Sequence, residues 1–215
     1  MSSWVITAPP RVTIRRLPRL IVGLVMCGVG IALMVASDLG LAPWDVLHQG
    51  IAKRTGIAIG TVGILVGVVI LLAWRPLGER YGVGTLTNVV LIGVTIDVVL
   101  PLLPEHPSAP TQWAFLVVGA FLFGPGGALY IGVGLGAGPR DGIMTSLAAR
   151  GFTLWKVRAA MELAVLAVGW LLGGSVGIGT VVFALTIGPN VHFFLERWTM
   201  EPISEVHPLP VHEVE

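Results

Sequence analysis

Apolar residues gather in six long runs along this chain, at 20–36, 57–74, 83–103, 113–133, 154–172 and 178–195. As helix at ~1.5 Å per residue, each is long enough to cross a hydrocarbon core of ~30 Å. Two shorter segments follow a different pattern. In 43–54, Trp44, Leu47 and Ile51 share one face, while Asp45, His48, Gln49 and Lys53 fall largely elsewhere. Segment 139–150 is more apolar, through Ile143, Met144, Leu147, Ala148 and Ala149. Each is preceded by a glycine break (Gly40, Gly136) and opens with a proline (Pro43, Pro139), which suits the first position of a helix. A segment of this length rises only about 18 Å as helix, so neither is a crossing. The expected fold is an all-α membrane protein with six transmembrane helices and two short helices.

The pattern occurs twice. LGLAPWD (39–45) returns as LGAGPRD (135–141), GVGT (82–85) as GIGT (177–180), and Trp74 as Trp170. Gly23, Gly28 and Gly30 match Gly119, Gly124 and Gly126. Self-similarity at a fixed offset marks a duplicated unit. The expected organisation is a basic N-terminal segment (1–17), a first repeat (18–104, with short helix 43–54), an outer linker (105–112), a second repeat (113–197, with short helix 139–150) and an acidic tail (198–215). Three crossings per copy is an odd number, so the second copy enters the membrane upside down, as in inverted-repeat transporters.

Composition fixes the solvent. The chain is 54% hydrophobic and 12% charged, with a mean hydropathy of +0.87. A soluble domain of this size could not cover its surface with so little charge. Arg15, Arg16 and Arg19 precede the first run as they would a signal peptide. The internal counterpart at 113–133 cannot be a signal, so the first run is read as a retained span. With an inner N-terminus, only Lys53 and Arg54 of the 13 Lys and Arg fall on the outer side. That is a positive-inside bias, and it places both termini in the cytoplasm. The net charge of +1, with basic residues at the run ends, argues against nucleic acid as a partner. The single Cys27 allows no intramolecular disulfide. No CxxC, HExxH or paired-aspartate motif on adjacent spans occurs, and no metal, cofactor or enzymatic chemistry is expected.

Charged groups inside spans are costly and often functional. Asp45 and Asp141 fall in the first turns of the short helices, where a carboxylate complements exposed N–H groups. Two geometries satisfy this pattern: helices lying flat in the interface, or half-helices dipping to mid-depth and lining a site. In the second, Asp45, Arg140, Asp141 and Glu162 line a central polar pathway. Arg140 then holds an anionic group or neutralises Asp141, while Glu162 carries a proton or pairs with Arg158 at i−4. Trp44 occupies the place of Arg140 in the other copy, which makes the two mouths chemically different. Secondary candidates are Trp44, His48, Asn88, Asp97 and His192. Asp97 either reaches outer water or lines the pathway, its repeat partner His192 is read as mainly structural, and Asn88 and Asn190 suit interhelical hydrogen bonds. Gly63/Gly67, Gly169/Gly173 and Gly173/Gly177 have GxxxG spacing for close packing, whereas Gly132, Gly134, Gly136 and Gly138 alternate and mark unwinding.

The run GLAPWDVLHQGIAKRTG, with GPRDG, Glu162 after a methionine, GWLLGG and GIGTVVFALTIGP, resembles the YczE-type membrane proteins of bacteria, which lie within or near the larger YitT grouping. The resemblance spans roughly residues 18 to 195 and implies a multi-pass bacterial inner-membrane protein. It supplies no substrate. Many YitT relatives carry a soluble C-terminal domain, and the short acidic tail here is not expected to fold alone.

Two function classes remain: a small transporter or channel for an unidentified solute, and a non-transporting partner or regulator of another enzyme. The expected partners are the bilayer and a small molecule or ion, with a homodimer allowed. The topology has a direct test. A cysteine replacing Pro107 should be labelled in intact cells and one replacing Glu205 should not; the reverse pattern refutes it.

Overall fold

The computed structural model describes residues 9–200, and these form eight α-helices and no strand. They are α1 (Pro10–Ser37), α2 (Pro43–Thr55), α3 (Ile59–Leu77), α4 (Val83–Val99, continued by a 3-10 turn at Leu100–Leu102), α5 (Ala109–Gly132), α6 (Pro139–Ala148), α7 (Leu154–Leu171) and α8 (Ile178–Trp198). The expected tail beyond residue 200, including Glu205, lies outside the described residues. Five helices are long and apolar enough to cross a bilayer: α1, α3, α4 with its 3-10 turn, α5 and α8. The run expected as a fifth crossing forms α7, which is 18 residues long and carries Lys156, Arg158 and Glu162 in its first half, and it is not among the five. α1 begins well before its apolar run. Pro10 occupies its first turn, and buried Arg16 donates to the Val133 carbonyl oxygen at 2.7 Å.

α1 and α5 pack against each other along the centre, with α4 against α1 and α8 against α5. Between α1 and α5 the backbones nearly touch. A Cβ at Gly23 would lie 2.7 Å from the Gly126 carbonyl oxygen, and one at Gly126 would lie 2.8 Å from that of Gly23. Gly30 and Gly119 form the matching pair, at 2.7 and 2.6 Å. Since Gly23 matches Gly119 and Gly30 matches Gly126 in sequence, each contact is the reciprocal of the other. Leu20, Leu24, Tyr130 and Val133 fill one end of this seam, and Met34, Leu116, Ala120 and Phe183 fill the other.

The repeated motifs hold the places where helices break. α1 ends at Ser37 and α5 at Gly132, and the chain then runs through Gly40 at φ 110° and Gly136 at φ 131°, conformations that favour glycine. Beside each break sits the start of a helix from the other copy. The Gly84 N–H donates to the Leu135 carbonyl oxygen at 2.8 Å, and the Gly179 N–H donates to that of Leu39 at 2.7 Å. The threonines of GVGT and GIGT cap their own helices: Thr85 Oγ1 accepts from Gly82 N at 3.2 Å, and Thr180 Oγ1 from Gly177 N at 3.3 Å. The GxxxG spacing has mixed outcomes. Gly67 packs on Val89 and Gly169 on Leu47, but Gly173 lies past the end of α7 at φ 99° and serves as a turn.

A side chain at the seam would have to displace backbone. Gly30→Val and Gly119→Val should each lower the thermal midpoint of the purified protein, by strain of about 1–3 kcal/mol. Gly188→Ala, whose Cβ meets nothing within 4 Å, should not lower it. A wild-type midpoint for both valine variants would show that the seam is loose.

Candidate functional site

The two short helices begin against each other. Pro43 and Pro139 take the first turns of α2 and α6, with Asp45 and Asp141 close behind. The first-turn residues Trp44 and Arg140, which match in the repeat, meet directly: the Arg140 guanidinium carbon lies 5.2 Å from the Trp44 ring centroid. A guanidinium over an indole face is a favourable cation–π arrangement. Both helices pack within the bundle, α2 on α7 and α3, and α6 on α3 and α7.

Different groups anchor them. Trp74, 1% exposed, donates from Nε1 to the Pro139 carbonyl oxygen at 2.9 Å, while Gly142 of α6 packs against its ring. Its sequence partner Trp170 is 65% exposed and holds nothing comparable. On that side Gln49 Oε1 accepts from Ser175 N at 2.6 Å, Lys53 Nζ donates to the Gly173 carbonyl oxygen at 3.0 Å, and Gly50 lies against Gly169.

Two cavities flank the Trp44–Arg140 pair. The larger, about 590 Å³, is lined by Arg140, Asp141, Arg158, Glu162, His192, Tyr130 and Cys27 among others. The smaller, about 60 Å³, is lined by Asp45, His48 and glycines of α3 and α4. Trp44, Asn88, Ile92, Pro139 and Arg140 line both, so these residues form the wall between them.

Most of the charges here have partners. Arg158 Nε donates to Glu162 Oε1 at 3.1 Å, the local pair its spacing predicts. Asp141 Oδ2 accepts from the Tyr130 hydroxyl at 3.3 Å. Asp45, 4% exposed, lies 3.5 Å from Nδ1 of His48, itself 8% exposed. His192 lies 3.1 Å from Glu196. Arg140 differs: among the described residues its guanidinium has neither an ion pair nor a hydrogen-bond acceptor, only the Trp44 ring. Asn88 likewise has no hydrogen-bond partner among the described residues, whereas Asn190 joins helices as expected, donating to the carbonyl oxygens of Ala120 and Phe121.

The structure thus gathers Asp45, Arg140, Asp141, Glu162, Trp44, His48, Asn88 and His192 around one pair of cavities, while Asp97 lines neither. Asp97 is partly buried, and its carboxylate caps α3. Oδ1 accepts from Gly60 N at 2.6 Å, and Oδ2 accepts from Thr61 N and Thr61 Oγ1, each at 2.7 Å. An apolar surrounding makes such a cap the cheapest way to satisfy the first N–H groups of α3. Tyr130 is a site residue that the sequence reading missed. The available signal was that it is one of only 2 tyrosines and sits inside an apolar run.

The chain matches, over residues 14–196, the model of a family of unknown function, DUF6198. An uncharacterized protein of Haemophilus influenzae is 39% identical over 195 residues, which cover 90% of this chain and 89% of the relative. The uncharacterized membrane protein YczE of Bacillus subtilis is 34% identical over 179 residues, covering 81% and 83%. The uncharacterized protein YyaS of the same organism is 26% identical over 194 residues, covering 86% and 92%. No solved structure matches. The chain belongs to the DUF6198 family and is a YczE-like multi-pass membrane protein.

The cap reading of Asp97 has a measurable consequence. Asp97→Ala should cost about 1–3 kcal/mol of stability, and Asp97→Asn, which keeps one acceptor, should fall between it and wild type. Thermal unfolding in detergent gives the order directly. An alanine variant as stable as wild type would show that the three hydrogen bonds contribute nothing.

Proposed function

We propose that this protein is a small-solute transporter of the bacterial cytoplasmic membrane, with six spans in two inverted three-span repeats and both termini inside. The observation that carries the reading is the pair of unequal cavities on either side of Trp44 and Arg140. The reciprocal glycine contacts and the exchanged backbone bonds at Gly84 and Gly179 support a two-fold relation between the copies. In that relation α7 corresponds to α3 and supplies the remaining crossing, the fifth in chain order. Its charges sit toward one end, and Glu162 is neutralised by Arg158. α2 and α6 are then half-helices entering from opposite faces, with their N-termini meeting at mid-depth.

The inequality of the cavities has a local cause. α3 and α4 close tightly because small residues meet there: a Cβ at Gly93 would lie 2.5 Å from the Gly60 carbonyl oxygen. Asp97 latches the same pair. At the matching positions α7 has Lys156 for Gly60 and Leu163 for Gly67, and His192 replaces Asp97. α7 and α8 stay apart, and the larger cavity occupies the gap, toward the inner side where Arg158 and Leu195 lie. Transport in this reading alternates two arrangements: α3 parts from α4 as α7 closes on α8, with Trp44 and Arg140 keeping the two cavities from opening together. That wall favours a carrier over a channel, and no covalent chemistry is assigned to the site.

In a Cys27→Ser background, Ala184→Cys (larger cavity) and Val66→Cys (smaller cavity) test the reading with a membrane-impermeant thiol reagent. The expected outcome is labelling of Ala184→Cys in inverted vesicles and of Val66→Cys in intact cells. Labelling of both from the same side alone would remove transport and leave the partner or regulator reading.

A further inference from the structure

We infer that the larger cavity binds a small organic monocarboxylate, its carboxylate on Arg140 and its apolar body against α8; this rests on the cavity being a solute site. A volume of about 590 Å³ falls in the range of small-molecule sites, typically ~300–1,000 Å³. The charge of the solute follows from what the cavity leaves unpaired. Arg158 and Glu162 neutralise each other at 3.1 Å, His192 faces Glu196, and Asp141 takes the Tyr130 hydroxyl. Arg140 is the cationic group of this cavity without an acidic partner among the described residues. Its flat face is already covered by Trp44, which leaves the N–H edge for an anion. Asn88 adds an amide with no partner among the described residues on the same wall.

Asp141 keeps its charge, since the Tyr130 hydroxyl is neutral. Among the described residues, however, no carboxylate oxygen lies within ion-pair distance of the Arg140 guanidinium, whose N–H edge is thus open to one carboxylate. A phosphate dianion would add an excess charge close to Asp141 and Glu162, where like charges repel. An ammonium would meet Arg140 itself. The rest of the solute must be largely apolar, since Phe123, Met144, Met161, Phe183, Ile187 and Val191 also line the cavity. A free acid and a membrane fatty acid share this chemistry, and chain length separates them.

The test is thermal stabilisation of the purified full-length protein by benzoate, phenylacetate and hexanoate, each against its neutral amide, with oleate as the long-chain arm. The small carboxylates should raise the midpoint and the amides should not. Arg140→Gln should raise the apparent Kd at least ~10-fold, Arg140→Lys less, and Arg197→Gln, outside the cavity, not at all. Equal shifts from acids and amides, unchanged affinity in Arg140→Gln, or a shift from oleate alone would each overturn the assignment. If the glutamine variant does not fold, the acid–amide comparison on wild type still decides. Carboxylate shifts with one-sided cysteine labelling would keep the ligand and remove transport; two-sided labelling without such shifts would do the reverse.

Discussion

Inside hydrocarbon, a broken helix has no water to satisfy the backbone groups it frees. Every distinctive feature of this chain answers that constraint. The breaks after α1 and α5 free carbonyl oxygens at Leu39 and Leu135, and each is taken by the first-turn N–H of a helix from the other copy. The motifs that recur in the sequence, LG with AP or GP and GxGT, are therefore two halves of one joint. The glycines let backbones come close enough to bond, and the threonine satisfies the N–H that the glycine before it would leave bare. Remove the break and the short helices have no reason to exist; remove the joint and the break becomes a buried, unsatisfied loop costing several kcal/mol per group.

On that shared frame, the copies diverge where chemistry is concentrated. Trp44 and Arg140 occupy matching positions and meet, so a duplicated residue has become an unlike pair at the centre. Trp74 and Trp170 match as well, yet one is buried as the anchor of α6 and the other faces outward. The glycines of α3 let α4 close on it, whereas Lys156 and Leu163 stand at the matching positions of α7, which lies across the larger cavity from α8. These replacements leave the central seam untouched, because Gly23, Gly30, Gly119 and Gly126 are all retained. Stability and asymmetry are thus carried by different residues.

Much of this was legible in the sequence. Apolar length and low charge decide that the chain lives in a bilayer, because no other solvent tolerates such a surface. Prolines after glycine breaks decide where the short helices start, since a proline without an N–H loses nothing at that position. The i, i+4 spacing decided that Arg158 would meet Glu162, a contact internal to one helix. Such features depend on neighbours along the chain or on bulk solvation, and a sequence states both.

What the sequence could not state was which polar groups lie across from one another. Asp97 and Asp141 are both carboxylates near helix ends, yet one caps the N-terminus of the neighbouring helix α3 and the other lines a cavity. The meeting of Trp44 with Arg140, the shared wall at Asn88 and the inward face of Tyr130 all require α2 and α6 to be brought tip to tip. The positions of these helices are set by Trp74 on one side and by Gln49 and Lys53 on the other, contacts between residues far apart in the chain. α7 forms over the apolar run expected as a crossing, but with Lys156, Arg158 and Glu162 it is not among the five long apolar helices. Local periodicity and solvation determined the elements, and only long-range packing decided which charges face a common space.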